Sequence, residues 1–187
     1  MEYKARNEMD PRFQWDMTHI YADKAAWEDA YAKAEALVAE LPALEGTLGN
    51  SVESLKNGLD KLYAAAEAVE RVYSYASLCK SGDNGDPEYQ NMEGKAVNLY
   101  VVFSTAVSFF DPEVLSIDEA VLDGYMNDPL LAGYRHILED TARGRAHTLD
   151  AKGERMLAML GDAAQASSNT SMVSAPGFPL SSTDNRT

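Results

Sequence analysis

An all-α fold, an antiparallel helical bundle built on a long helical hairpin, follows from three observations in this 187-residue sequence. Apolar residues recur at spacings of three and four through several long segments, the period of one buried helix face. The segments start at capping side chains, two of them in Asp-Pro pairs, where Asp caps and proline takes a position whose N–H would be unpaired anyway. No segment sustains the alternation of a half-buried strand, so no sheet is predicted.

Residues 1–22 read as an irregular, extended N-terminal arm. Asp10-Pro11 marks a turn, and Phe13, Trp15, Ile20 and Tyr21 are apolar anchors without helical spacing. A helical domain over 23–165 follows. Asp23 caps a first helix whose face carries Trp27, Tyr31, Ala34, Leu37, Val38 and Leu41; Pro42 bends or ends it, and residues 46–50 are a break. Ser51 caps the second helix. Its apolar positions Leu55, Leu59, Leu62, Ala66, Val69, Tyr73 and Ala76 alternate four and three, like a bundle seam. Residues 81–85 form a loop, and Asp86-Pro87 starts a third helix through Tyr89, Met92, Ala96, Leu99, Phe103, Ala106 and Phe110. Two long helices joined by so short a loop lie antiparallel.

Asp111-Pro112 is expected to stop that helix. Ser116-Ile117-Asp118-Glu119 has capping-box spacing and opens a shorter helix to about Asn127. Asp128-Pro129 starts a helix through Leu131, Tyr134, Ile137 and Leu138, and Arg143-Gly144-Arg145 breaks it. Thr148 caps a last helix bearing Leu149, Met156, Leu157 and Leu160. Residues 166–187 are rich in Ser, Thr and Pro with only Asp184 and Arg186 charged, and are predicted to be a flexible, disordered C-terminal tail.

Composition excludes several functions. Thirty acidic residues against 16 basic give a formal net charge of −14. A surface of that sign does not suit nucleic acid, whose phosphates need a basic partner, or anionic lipid. One cysteine excludes an internal disulfide framework. The longest contiguous apolar runs, Leu99 to Phe103 among them, fall far short of the roughly 20 residues of a membrane span. The N-terminus lacks the apolar core of a secretory signal, so the expected location is the cytoplasm.

The residues themselves point to no catalytic, metal or cofactor-binding site. Three histidines are present, and none stands in His-Glu-x-x-His, which would set two imidazoles and a glutamate on one helix face around a metal-bound water. His136, Glu139 and Asp140 could share a helix face as a loose metal site; a surface histidine among acidic neighbours is the simpler reading. His147 suits the start of a helix, and His19 the packing of the arm. Cys79 lies beside Lys80, whose ammonium would favour a thiolate, but no nucleophile signature surrounds it and a small core residue explains it better. Glu28, Asp29, Glu35, Glu40 and Glu45 read as a solvated helix face. Tyr63, Tyr73, Tyr89, Tyr100, Phe103, Phe109 and Phe110 form a stripe that is mostly core, with some tyrosines suited to lining a peptide groove.

Several segments nonetheless resemble one family. Trp15-Asp16-Met17-Thr18-His19-Ile20-Tyr21, Tyr73-Ser74-Tyr75-Ala76-Ser77-Leu78, Asp86-Pro87-Glu88-Tyr89-Gln90 and Phe109-Phe110-Asp111-Pro112-Glu113 are similar in order and spacing to the start of oligoendopeptidase F. So are Leu131-Ala132-Gly133-Tyr134-Arg135-His136-Ile137-Leu138-Glu139-Asp140, His147-Thr148-Leu149 and Ser167-Ser168-Asn169-Thr170. The resemblance implies a zinc metallopeptidase related to thimet oligopeptidase that cleaves oligopeptides. In that family an N-terminal helical lobe covers a deep channel, and a separate catalytic lobe carries His-Glu-x-x-His and a further Glu ligand. Only the N-terminal lobe is matched, so no family zinc ligand or catalytic residue transfers to this chain. The resemblance therefore implies a lobe that is inactive alone, with the catalytic lobe and oligopeptides as its partners. After Thr170 the chain departs from the family pattern, as a truncated or out-of-frame end or a genuine variant tail would. The alternative from the residues is a stand-alone helical module that pairs with a partner helix or peptide through the hairpin.

Overall fold

The computed structural model describes residues 10–144, 149 and 151–159. The predicted tail 166–187, the cap at Thr148 and His147 lie outside the described residues. Among the described residues the protein is helical without a strand. The helices are α1 (Lys24–Glu40), α2 (Val52–Gly82), α3 (Pro87–Val107), α4 (Phe110–Ser116), α5 (Glu119–Met126), α6 (Arg135–Arg143) and α7 (Ala151–Met159). Single 3-10 turns occupy Pro11–Phe13, Met17–His19, Leu41–Leu44 and Pro129–Leu131.

The predicted caps hold at three long helices. The carboxylate of Asp23 accepts from the Ala26 N–H, the hydroxyl of Ser51 from Ser54, and the carboxylate of Asp86 from Glu88. Each satisfies a backbone donor that the first helical turn leaves unpaired. The hairpin α2–α3 is the centre of the fold, and α1 packs against both of its arms. Trp27 is 1% exposed, and its indole Nε1 donates to the Val72 carbonyl at 2.9 Å.

Four expectations are corrected. First, α2 buries a wider arc than one seam: Gly58, Ala65, Val72, Tyr75 and Cys79 are buried, whereas Leu62, Ala66 and Tyr73 are half-buried. A helix clasped by two neighbours needs two adjoining apolar stripes. Second, α3 ends at Val107, and Asp111-Pro112 lies in the first turn of α4. Proline is tolerated there because first-turn N–H groups have no helical acceptor. Third, Ser116 does not open α5. Its hydroxyl donates to the Glu113 carbonyl at 2.7 Å, closing α4, and Asp118 caps α5 by accepting from Ala120 and Val121. Fourth, Asp128 caps only a single 3-10 turn, and α6 starts at Arg135.

The apolar content of the third helical segment also exceeds what its contiguous runs suggest. Pro87–Ser116 includes an 18-residue window of mean hydropathy 1.2, long and apolar enough by length and composition to cross a membrane. Ser104, Thr105 and Ser108 break up the apolar run without adding charge.

The connection between α1 and α2 is tied to α4. Glu113 accepts from the backbone N–H of Gly46 at 2.8 Å and of Leu48 at 2.7 Å. Gly46 has φ +81°, which a side chain would resist. Tyr125 donates to the Gly49 carbonyl at 3.3 Å, bringing α5 onto the same turn.

Candidate functional site

The sequence-derived candidates do not converge. His19 lies 3.5 Å from Asp16 on the exposed arm, and His136 lies 3.7 Å from Asp140. Glu139 binds Arg135 Nε at 2.9 Å, and Asp140 also binds Arg143. Among the described residues no three His, Cys, Asp or Glu side chains gather as a metal site. This donor set does not fit zinc, because the carboxylates flanking His136 are already claimed by guanidinium groups.

Cys79 is buried beside the Tyr75 hydroxyl. Burial, then the neighbouring Cys79, pushes the Tyr75 phenol up to about 12. Lys80 points elsewhere: it pairs with Glu93 across the hairpin, and both are largely withdrawn from solvent. Sequence reasoning missed this pair because its partners are 13 residues apart on different helices.

The carboxylates of the N-terminal third act as struts as well as a solvated face. Glu40 binds Lys61 at 3.0 Å, joining the end of α1 to α2, and Glu45 binds Arg155 of α7 at 3.2 Å. Lys24 reaches Glu88, linking the starts of α1 and α3. Asp60 is held below its usual range first by the Lys56 ammonium and then by the Tyr134 hydroxyl, which donates at 2.7 Å.

The aromatic stripe divides. Phe109 and Phe110 are core, with ring centroids 6.3 Å apart. Tyr63 stacks on Tyr134 at 5.6 Å, and Tyr73, Tyr100 and Phe103 form a row with centroids 6.1 and 6.4 Å apart. Tyr100 is 48% exposed, so this row reaches the surface.

A cleft of about 230 Å³ lies between α1 and α3. Val38, Ala39, Pro42, Leu99, Val102 and Ala106 make it apolar, and Tyr31, Glu35 and Asn98 supply its polar groups. Glu35 and Tyr31 are its titratable groups, and among the described residues neither belongs to a metal-ligating cluster. Its signal in the sequence is the stretch 96–110, which holds no charged residue and no histidine.

Comparison with known proteins places this arrangement. The family profile described as Oligopeptidase F matches residues 113–173. The plasmid-encoded oligoendopeptidase F of Lactococcus lactis subsp. cremoris is 33% identical over 172 residues, covering 89% of this chain and 28% of that protein. The oligopeptidase PepF of Bacillus subtilis is 30% identical over 166 residues, 88% of this chain and 25% of that protein. The crystal structure of oligoendopeptidase-F from Enterococcus faecium superposes with a TM-score of 0.72 at 30% identity, over 76% of this chain and 28% of that one. A putative peptidase from Chlamydophila abortus superposes at 0.68 with 26% identity, over 90% and 29%. The chain thus spans about a quarter of the length of the relatives it matches.

Proposed function

Because the chain is homologous to the N-terminal region of oligoendopeptidase F, we propose that it serves as the substrate-enclosing helical lobe of an oligopeptide-hydrolysing metallopeptidase. In this reading the hydrolytic centre, zinc included, belongs to other residues of the architecture. Zinc would supply Lewis-acid activation of water there. This chain supplies a rigid helical wall that admits short peptides and excludes long or folded ones. The observation that carries the reading is the match over nearly nine-tenths of this chain to only about a quarter of an oligoendopeptidase. The scattered, salt-bridged candidate ligands support placing the chemistry elsewhere. The hairpin seam is used within the chain, against α1, and so does not favour the stand-alone pairing module.

Two measurements test this. The purified chain, incubated with an internally quenched peptide and zinc, is expected to give no turnover; chelator-sensitive cleavage would overturn the assignment of chemistry elsewhere. The chain grafted in place of the matching region of the Lactococcus lactis plasmid oligoendopeptidase F is expected to retain peptidase activity on short peptides. A stable, folded chimera without activity would count against the lobe reading.

A further inference from the structure

The cleft between α1 and α3 opens onto a surface that differs from the rest of the molecule. One residue in four of the chain is charged, yet 96–110 carries none. Only 22% of the apolar window in Pro87–Ser116 is buried. Val102, on the rim of the cleft, is 47% exposed, and Asn98 beside it is exposed. A surface helix covering a core normally turns charged residues outward. An uncharged, half-open helix face is the mark of a surface that meets another apolar element.

We infer that the α1–α3 cleft is the seat for an apolar side chain from the rest of the oligoendopeptidase F architecture, the lobe to which this one is joined. The inference rests on the lobe reading above and adds the place where the two parts meet. The occupant is argued from coverage and charge. The matched relatives hold about two and a half times as much chain again as the region shared here. A second copy would bring another −14 against this one, and an anionic lipid surface would be repelled in the same way. The cleft is smaller than the ~300–1,000 Å³ of a typical small-molecule site and suits one large side chain. Glu35 and the Tyr31 hydroxyl offer acceptors for a donor flanking that side chain.

Cysteine reactivity tests the seat. Val102→Cys and Asn98→Cys are made separately in the full chain, where native Cys79 is buried, and at the aligned positions of the full-length Lactococcus lactis enzyme. Maleimide labelling is followed in both proteins. Both positions are expected to react readily in this chain and at least about tenfold more slowly in the full-length relative, where the seat is filled. Equal rates in the two proteins, or protection at one position alone, overturn the inference. So does labelling of this chain that slows with its own concentration, which means a second copy, or with added phosphatidylcholine vesicles, which means lipid. The lobe reading stands or falls separately, on the activity of the chimera.

Discussion

Lys80 shows what a single residue can conceal. Its neighbour in sequence, Cys79, suggests thiol activation, but adjacent helical residues do not face each other. Glu93 is the true partner, and it is reached only once the loop at 83–86 has turned α3 back along α2. Removing one member of a buried pair leaves the other charge uncompensated, whereas replacing both with apolar groups removes the desolvation cost too. Lys80→Met alone or Glu93→Leu alone is therefore expected to lower unfolding stability by about 2–4 kcal/mol, and the Lys80→Met, Glu93→Leu double variant to stay within about 1 kcal/mol of the parent. Urea unfolding of the four proteins in the cycle measures this; a double variant as damaged as the single would show that the pair is worth more than apolar packing. Trp27 was legible because its helical spacing marks it as core. Its bond to Val72 was not, since no local pattern encodes a partner 45 residues away.

At the scale of elements, helix starts were easier to read than helix ends. A start is written in one side chain, as at Asp23, Ser51 and Asp86. An end is decided by where tertiary packing stops favouring the helix, and so α3 yields to α4 before the proline that seemed to stop it. The breadth of the buried arc on α2 was likewise hidden, because periodicity reports one stripe and cannot show that two neighbours share a helix. Glycines sharpen the point. A Cβ on Gly58 would sit 2.4 Å from a terminal methyl of Leu48, which is fully buried, whereas Gly94 on α3 has open space around it. Gly58→Ala is expected to lose about 1–2 kcal/mol to overpacking. Gly94→Ala is expected to gain up to about 1 kcal/mol from helix propensity alone. Thermal unfolding of the two variants should shift in opposite directions, and a shared direction would refute the packing account of Gly58.

For the whole molecule, the all-helical class was readable from periodicity and the likeness to oligoendopeptidase F from motif order, and the candidate surface only in part. The uncharged stretch 96–110 was visible in the sequence, but that it lies half-open beside a cleft depends on where α1 comes to rest. A net charge of −14 on one 187-residue chain also carries a cost in self-repulsion. Exposed ion pairs such as Lys61–Glu40 offset little of it. Raising sodium chloride from about 20 mM to about 0.5 M should therefore move the urea midpoint upward, through screening of like charges. A downward shift would mean that the surface ion pairs outweigh the repulsion. The short turn between α2 and α3 has a further consequence, for the order of assembly. It lets the most extensive interface among the described residues close over a loop of only residues 83–86, and loop closure costs less the shorter the loop. Contacts so local form early and fast. A chain emerging from the ribosome therefore presents α1 and α2 together, with the α3-facing flank of α2 uncovered until α3 has followed it out and the hairpin closes.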